Sequence, residues 1–157
     1  ENHDDAIGET LDKVGRLLNL PYPGGISIDY IYNHKKATLP LIKHYEATQN
    51  FSFSGVKTYV TNLIHTLKQK KKNVDTVTIA SSFLKWCVDE IMIQLKHYCK
   101  CYKVNYLKVA GGVAANSALR KALSTLKTKI YIAYKKYCGD NAAMIANYAD
   151  LLVTSKN

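Results

Sequence analysis

Apolar residues recur at helical spacing in two prominent stretches of this 157-residue chain. The first stretch predicts a helix from about Asp4 to Leu18, with Asp4 or Asp5 suited to cap it and to complement its dipole. The second and stronger pattern predicts a helix from about Val77 to Tyr98, with Asp75 as a nearby cap. The first stripe consists of Ile7, Leu11, Val14 and Leu18, and the second is built around Ile79, Phe83, Trp86, Cys87, Ile91 and Leu95.

The segment between these helices has weaker patterns. The run Pro21-Tyr22-Pro23-Gly24-Gly25 breaks the chain, because proline and glycine both interrupt regular structure. The elements predicted after it are a short helix over Ser27 to Asn33, a loop over Lys35 to Asn50, a short strand or extended turn over Phe51 to Gly55, and a helix from Val56 to about Gln69.

The second half of the chain alternates strands and helices. A strand is predicted from Tyr106 to Ala110 and is followed at once by two glycines. A helix from about Ala115 to Leu126, a strand over Ile130 to Ile132 and a helix from about Asn141 to Leu152 complete the pattern. Strand, glycine turn, helix, strand, helix is the order of an α/β layer, so the fold class predicted is α/β, rich in helices and with a short sheet.

Composition narrows the class of protein. The length suits one domain that can bury a core, and 47% hydrophobic with 22% charged residues is globular. No apolar run approaches the roughly 18 residues of a membrane span, and the acidic N-terminus predicts no secretory or transit signal. A membrane protein, a collagen and a small disulfide scaffold are therefore excluded, and a cytoplasmic protein without a membrane partner is expected.

The charge balance leaves two interpretations open. The chain carries 22 Lys plus Arg against 12 Asp plus Glu, a net charge of +10, and Lys68 with Lys70, Lys71 and Lys72 forms a basic run. Such a field favours a polyanion such as RNA. Lys, Asn, Tyr and Ile are also the residues that AU-rich codons specify, so a biased genome would give solvated lysines without a partner.

The four cysteines do not follow a paired zinc-binding template. His97, Cys99 and Cys101 form an H-x-C-x-C string, but positions two apart on a helix point to different faces. Reduced thiols are therefore the favoured interpretation.

Two segments could bring backbone or carboxylate groups to a ligand. From Val109 to Asn116 a strand ends in two glycines and leads into a helix, whose first N–H groups could bind an anion or nucleotide. Asn116 can donate and accept hydrogen bonds there, whereas a plain tight turn is the alternative. On the first helix, Asp12 lies on one face with Gly8 and Gly15, which fits either a ribose-binding carboxylate or glycines that allow close helix packing.

Two further segments are ambiguous when taken alone. Asp140 follows Gly139 at the start of the last helix, where a plain N-cap is favoured over a metal ligand, because one carboxylate cannot hold a divalent ion tightly. Gly25 could pass close to a ligand, with Asp29 on the short helix that follows, but turns of this kind are common.

In their order along the chain, the motifs resemble the TsaD family, the tRNA N6-adenosine threonylcarbamoyltransferases once described as O-sialoglycoprotein endopeptidases. The resemblance covers essentially the whole chain and is to the bacterial or organellar branch. Its motifs are Asp4-Asp5-Ala6-Ile7-Gly8-Glu9 with Asp12-Lys13-Val14, Tyr22-Pro23-Gly24-Gly25, Phe51-Ser52-Phe53-Ser54-Gly55, Ala110-Gly111-Gly112-Val113-Ala114-Ala115-Asn116, and Cys138-Gly139-Asp140-Asn141.

The resemblance implies a lobe of the actin, Hsp70 and sugar-kinase fold, in which two α/β lobes enclose a nucleotide. It implies an acyltransferase that moves the threonylcarbamoyl group from threonylcarbamoyl-AMP to N6 of the adenosine beside the anticodon in tRNAs reading codons that begin with A. It assigns Asp12 to the ribose, Gly25, Asp29 and Asn116 to other nucleotide contacts, and Asp140 to one divalent metal ion, with iron favoured and zinc or magnesium as alternatives.

One departure from the family is large. The family's metal site needs two histidines spaced H-x-x-x-H, which belong to a lobe that this sequence lacks, so residues 1–157 resemble the C-terminal lobe alone and are expected to transfer poorly. Family partners are tRNA with TsaB-like and TsaE-like subunits, or a homodimer if the protein is organellar. The alternative function is a non-catalytic lobe that docks tRNA or a partner subunit. A peptidase has little support, because no Ser-His-Asp set or H-E-x-x-H motif is evident.

Overall fold

The computed structural model describes residues 4–47, 51–73, 75–139 and 142–154. In these ranges the chain forms six α-helices, two short β-strands and three 3-10 turns, at His34–Lys36, Gly112–Ala115 and Lys135–Tyr137. The helices are α1 (Ile7–Leu17), α2 (Gly24–Ile31), α3 (Ser54–Gln69), α4 (Thr76–Cys101), α5 (Ser117–Leu123) and α6 (Ala142–Thr154), and the strands are β1 (Tyr106–Val109) and β2 (Lys129–Ile132).

The helices with the clearest apolar stripes form where the sequence predicts them. In the first stripe Leu11, Val14 and Leu18 are buried and Ile7 is half-buried, and in α4 Phe83 and Cys87 are fully buried. Asp75 caps α4 as predicted, because its Oδ1 accepts a hydrogen bond from the Thr78 N–H at 3.1 Å. The core lies where α1, α3 and α4 pack together, and each fully buried large apolar side chain contributes about 1.5–3 kcal/mol.

Three boundaries differ from the prediction. Helix α2 begins at Gly24 instead of Ser27, since the glycines that were predicted to break the chain form its first turn. The sequence predicts a short strand or extended turn over Phe51 to Gly55, and the strand alternative is wrong, because residues 51–53 have no regular structure and Ser54 opens α3. The helix predicted from Ala115 divides at Asn116 into a 3-10 turn and the shorter α5.

The strands confirm an α/β arrangement. β1 and β2 pair in parallel with α5 between them in the chain, so that Leu107 lies opposite Ile130 and Val109 opposite Ile132. Side chains alternate between the two faces of the pair, and Val109, Ile130 and Ile132 pack against the core. The lobe of an actin-type fold stays a prediction, whereas the α/β class is what the described residues form.

The irregular segment over residues 37–47 is held to α4 by polar contacts. Glu90 is fully buried, and its carboxylate hydrogen-bonds with His44 Nδ1 and accepts from Gln94 Nε2, both at 3.0 Å. Trp86 donates from Nε1 to the Ile42 carbonyl at 2.8 Å and stacks on His44. These contacts give a segment without regular structure a fixed position on the longest helix.

All four cysteines are free thiols, as the sequence predicts, and burial raises the pKa of the Cys87 thiol. None of the helices in the described part of the chain is both long and apolar enough to span a membrane.

Candidate nucleotide-binding site

The site begins at the crossing of α1 and α2, where two glycines bring the helix backbones into contact. A Cβ atom added at Gly15 would lie 2.7 Å from Gly24 Cα, and one added at Gly24 would lie 2.8 Å from Asp12 Cα. Real Cβ atoms do not approach backbone this closely, so both positions require glycine. The packing interpretation of Gly15 is therefore confirmed, while Gly8 is not constrained, because its added Cβ would meet Val113 Cγ2 at an ordinary 3.6 Å.

This close crossing places Asp12 at the N-terminus of α2. Asp12 Oδ1 accepts a hydrogen bond from the Gly25 N–H at 3.0 Å. The N-cap of α2 is Pro23, which has no side-chain oxygen to accept such a bond, so a carboxylate 13 residues earlier in the chain satisfies one of the free N–H groups of the first turn. Two residues singled out from the sequence, Asp12 and Gly25, are thus in direct contact.

Asp12 also borders an open cleft of about 430 Å³. Its Oδ2 forms no hydrogen bond with any described residue and remains able to accept one from a hydroxyl group. Lys13 in the cleft is paired with Glu9 at 2.7 Å, whereas Arg16 forms no ion pair within the described ranges. A carboxylate oxygen able to accept a hydrogen bond and a cation therefore face one cleft, which is lined by Glu9, Asp12, Lys13, Arg16, Leu20, Tyr22 and Gly24.

A second contact joins α2 to the first residues of α5, which follow the glycine-rich turn. Both carboxylate oxygens of Asp29 accept from the Ser117 N–H, at 3.1 and 2.9 Å, and Oδ1 also accepts from the Ala118 N–H at 3.4 Å. Asn116 is buried and caps α5, because its Oδ1 accepts from the Leu119 N–H at 2.9 Å. The prediction that these helix N–H groups are free for a ligand is wrong, since Asp29 and Asn116 already occupy them.

The turn after β1 is nevertheless open. Gly111 has a φ of 94°, in the left-handed region that favours glycine, and an added Cβ at Gly111 or Gly112 would meet nothing within 4 Å. The turn lies at the carboxyl end of a parallel strand, the edge where α/β proteins bind ligands. The backbone of Gly111 and Gly112 is the open part of this turn, whereas Asn116 is buried beneath it as the cap of α5.

The structure thus connects four residues chosen from the sequence. Gly25 and Asp29 are one turn apart on α2 and share a face. Asp12 accepts a hydrogen bond from Gly25, and Asp29 accepts one from Ser117, the residue after Asn116. Asp140 lies outside the described residues. Sequence reasoning missed the cation Arg16, which lines the cleft, although only two arginines, Arg16 and Arg120, stand among the 22 Lys plus Arg of the chain.

The described residues do not supply a metal donor set. No group of three or more His, Cys, Asp or Glu side chains in ranges 4–47, 51–73, 75–139 and 142–154 is placed to hold an ion. His97 and Cys101 do approach each other, with Sγ 3.5 Å from Nε2, but a pair alone does not form a metal site. A metal in this protein would need ligands beyond those described.

The parallel β1-α5-β2 unit, with an open glycine turn at the end of its first strand and carboxylates beside it, defines an α/β domain with a candidate nucleotide site. A sequence model of the TsaD family, described as tRNA N6-adenosine threonylcarbamoyltransferase, matches residues 1–147. The chain belongs to this family.

Curated relatives described in the same way are longer than this chain. One from Ureaplasma parvum serovar 3 is 50% identical over 153 residues, which cover 98% of this chain and 48% of the relative. One from Staphylococcus haemolyticus is 44% identical over 92% of this chain and 44% of its own length, and one from Mycoplasma capricolum is 42% identical over 98% and 50%. The chain therefore spans about half the length of the curated relatives that it matches.

Proposed function

We propose that this chain supplies the nucleotide-binding lobe of an enzyme that transfers a threonylcarbamoyl group from threonylcarbamoyl-AMP to N6 of the adenosine beside the tRNA anticodon. Family membership supports tRNA modification, and the single structural observation that carries the nucleotide role is the Asp12 carboxylate, fixed by Gly25 at the edge of the cleft. The proposed setting is the cytoplasm, with TsaB-like and TsaE-like subunits as partners.

In this reaction the adenosine amine attacks the carbonyl of a mixed anhydride, and AMP leaves. The proposed part of this chain is to bind and orient the AMP half, which lowers the entropic barrier to reaction. Asp12 Oδ2 accepts from ribose hydroxyls, the backbone at Gly25 allows close approach, and the amide of Asn116 donates from the glycine-rich turn. Asp29 acts on the start of α5, directly after the turn, because it accepts hydrogen bonds from the Ser117 and Ala118 N–H groups.

The proposed metal ion, iron by family resemblance with zinc or magnesium as alternatives, would polarise the anhydride carbonyl when bound. Asp140 is its one proposed ligand in this chain. The remaining ligands must come from outside the described residues, so no step of the reaction is assigned to the metal here.

The nucleotide role predicts that Asp12→Asn weakens AMP binding by the chain about tenfold or more, the effect of losing a charge-assisted hydrogen bond to a ribose hydroxyl. Isothermal titration with AMP measures this dissociation constant. Glu9→Gln is the matched control, because Glu9 lines the same cleft but is directed to Lys13, and it should change affinity by less than about twofold. Equal effects of the two substitutions, or none from Asp12→Asn, would contradict the role.

A second candidate function, a non-catalytic lobe that docks tRNA, is favoured by the basic run at the end of α3. Lys70, Lys71 and Lys72 are exposed, and Lys70 is the C-cap of the helix. Lys68 differs, since its Nζ donates to the Leu17 carbonyl at 2.9 Å and so serves the fold. RNA binding alone leaves the Asp12 cleft without a role, which is why catalysis is the preferred proposal.

A further inference from the structure

Arg120 on α5 makes three polar contacts with backbone and side-chain groups outside its own helix. Its Nε donates to the Ala114 carbonyl at 2.7 Å, and its Nη2 donates to the Ala133 carbonyl. The same Nη2 lies 3.3 Å from the Cys138 sulfur, which is buried and also lies near the Ala133 and Tyr134 carbonyls. A single guanidinium thus serves acceptors that are 24 residues apart in the chain.

These acceptors belong to the two segments that leave the same edge of the sheet. Ala114 is in the 3-10 turn that follows β1, and Ala133 is the residue after β2, so both lie at the carboxyl ends of parallel strands. The guanidinium is planar with donors in a fixed fork, so it fixes the separation of two acceptors in a way that a lysine ammonium cannot.

An independent contact joins the same two segments. Lys135 Nζ donates to Ser117 Oγ at 2.8 Å, and the N–H of this serine is bound by Asp29. The segment after β2 is therefore attached both to the glycine-rich turn and to the start of α5, and Arg120 is the contact that reaches farthest into it, to Cys138 next to Gly139.

We propose that Arg120 is a positioning residue for the nucleotide site. By holding the turn over residues 111–116 at a fixed distance from the segment over residues 133–138, it keeps the Gly111–Gly112 backbone and the Asn116 amide in the arrangement that binds the nucleotide. Arg120 itself does not touch the ligand in this assignment. The inference rests on the nucleotide-binding role proposed above.

The test compares Arg120→Ala and Arg120→Lys with Lys121→Ala, an exposed neighbour on the same helix. AMP affinity is measured by calorimetry beside the melting temperature of each variant. Arg120→Ala should weaken AMP binding about tenfold, because the turn loses the charge-assisted hydrogen bond that fixes it and populates its binding arrangement less, and Arg120→Lys should recover only part of this because it restores one donor direction. Lys121→Ala should bind within twofold of the unsubstituted chain.

Hydrogen exchange of peptides over residues 112–119 and 133–139 separates this inference from the nucleotide role. The exchange rate of both peptides should be higher in Arg120→Ala and unchanged in Lys121→Ala, whether or not AMP is present. A chain that binds no AMP would refute the nucleotide role and with it the positioning role, even if both peptides respond. Unchanged exchange, or a lower melting temperature in Arg120→Lys with AMP affinity intact, would overturn the positioning role alone.

Discussion

At the scale of single residues, the Asp4 carboxylate forms hydrogen bonds with a helix that begins 50 residues later in the chain. The sequence predicts that Asp4 or Asp5 caps α1, but the N-cap of α1 is Ala6, which makes no side-chain hydrogen bond. Asp4 Oδ1 instead accepts from the Ser54 N–H at 2.9 Å and from the Ser54 hydroxyl, at the start of α3. Asp5 pairs with Lys57 on the same helix. The prediction that a carboxylate accepts from the N–H groups of a helix N-terminus is therefore correct, but the helix is α3 and not α1.

This arrangement predicts an acid-dependent loss of stability. Burial alone would raise the pKa of Asp4, but hydrogen bonds from Ser52 and Ser54 outweigh it and lower the pKa from 3.8 to about 2. Because the folded pKa is the lower one, the stabilisation is present above pH 3.8 and is lost as the pH falls toward 2. Asp4→Asn should cost about 1–2 kcal/mol at pH 7 after allowance for solvent screening.

Urea unfolding of both forms between pH 7 and pH 2.5 checks this, and the difference between them should shrink below pH 4. Asp150→Asn, on exposed α6, is the matched control and should leave the curve unchanged. A constant difference between Asp4→Asn and the unsubstituted chain across this range would show that the Asp4 carboxylate is not what titrates.

For the site residues, as for Asp4, the sequence identifies the useful side chain but not the group that it contacts. Motif order and family resemblance selected Asp12, Gly25, Asp29 and Asn116 without any knowledge of which groups they contact. Their contacts could not be predicted, because the Asp12–Gly25 bond spans 13 residues and the Asp29–Ser117 bond spans 88. Local pattern identifies chemically useful side chains, whereas only the packed fold determines whether a helix terminus is free or already occupied.

At the scale of elements, the crossing of α1 and α2 determines the geometry of the cleft. We predict that Gly15→Ala destabilises the chain by about 1–3 kcal/mol, because its methyl group must displace the backbone of Gly24. The same displacement moves the Gly25 N–H away from Asp12, so AMP affinity should fall as well. Chemical unfolding and calorimetry measure the two effects.

Gly8→Ala on the same helix is the matched control for this prediction. Its methyl group would meet Val113 Cγ2 at 3.6 Å, an ordinary contact, and alanine favours helix by up to about 1 kcal/mol over glycine. The variant should therefore be neutral or slightly more stable. Equal destabilisation by Gly8→Ala and Gly15→Ala would mean that the helix crossing does not constrain Gly15.

The sequence predicts a helix correctly where that helix buries one continuous stripe of apolar side chains. The 3.6-residue period identified α1 and α4, and alternation with turn signals located β1 and β2 to within a residue. The prediction fails where a contact from elsewhere sets the boundary. Asp12 and the Gly15–Gly24 contact allow α2 to begin at Gly24, and the Asn116 cap separates the turn after β1 from α5.

At the scale of the whole molecule, a net charge of +10 fits either a protein that binds RNA or one whose lysines are solvated and have no partner. The family match resolves the class of protein, and the structure adds that Asp12 and Asp29 of the candidate site link α2 to α1 and to the start of α5. Because the chain spans about half of its curated relatives, the proposed reaction must be tested with the complementary half of a family member.

The most direct test measures threonylcarbamoyladenosine in tRNA by mass spectrometry, after the chain is mixed with that half, threonylcarbamoyl-AMP, tRNA and a divalent metal. The account predicts that modified adenosine forms, and that Asn116→Ala and Asp140→Ala each reduce its rate at least about tenfold, the loss of one charged or ligand contact in the transition state. Lys121→Ala, exposed on α5, should retain the full rate. Formation of the product at an unchanged rate with Asn116→Ala and Asp140→Ala would contradict the catalytic role of this lobe.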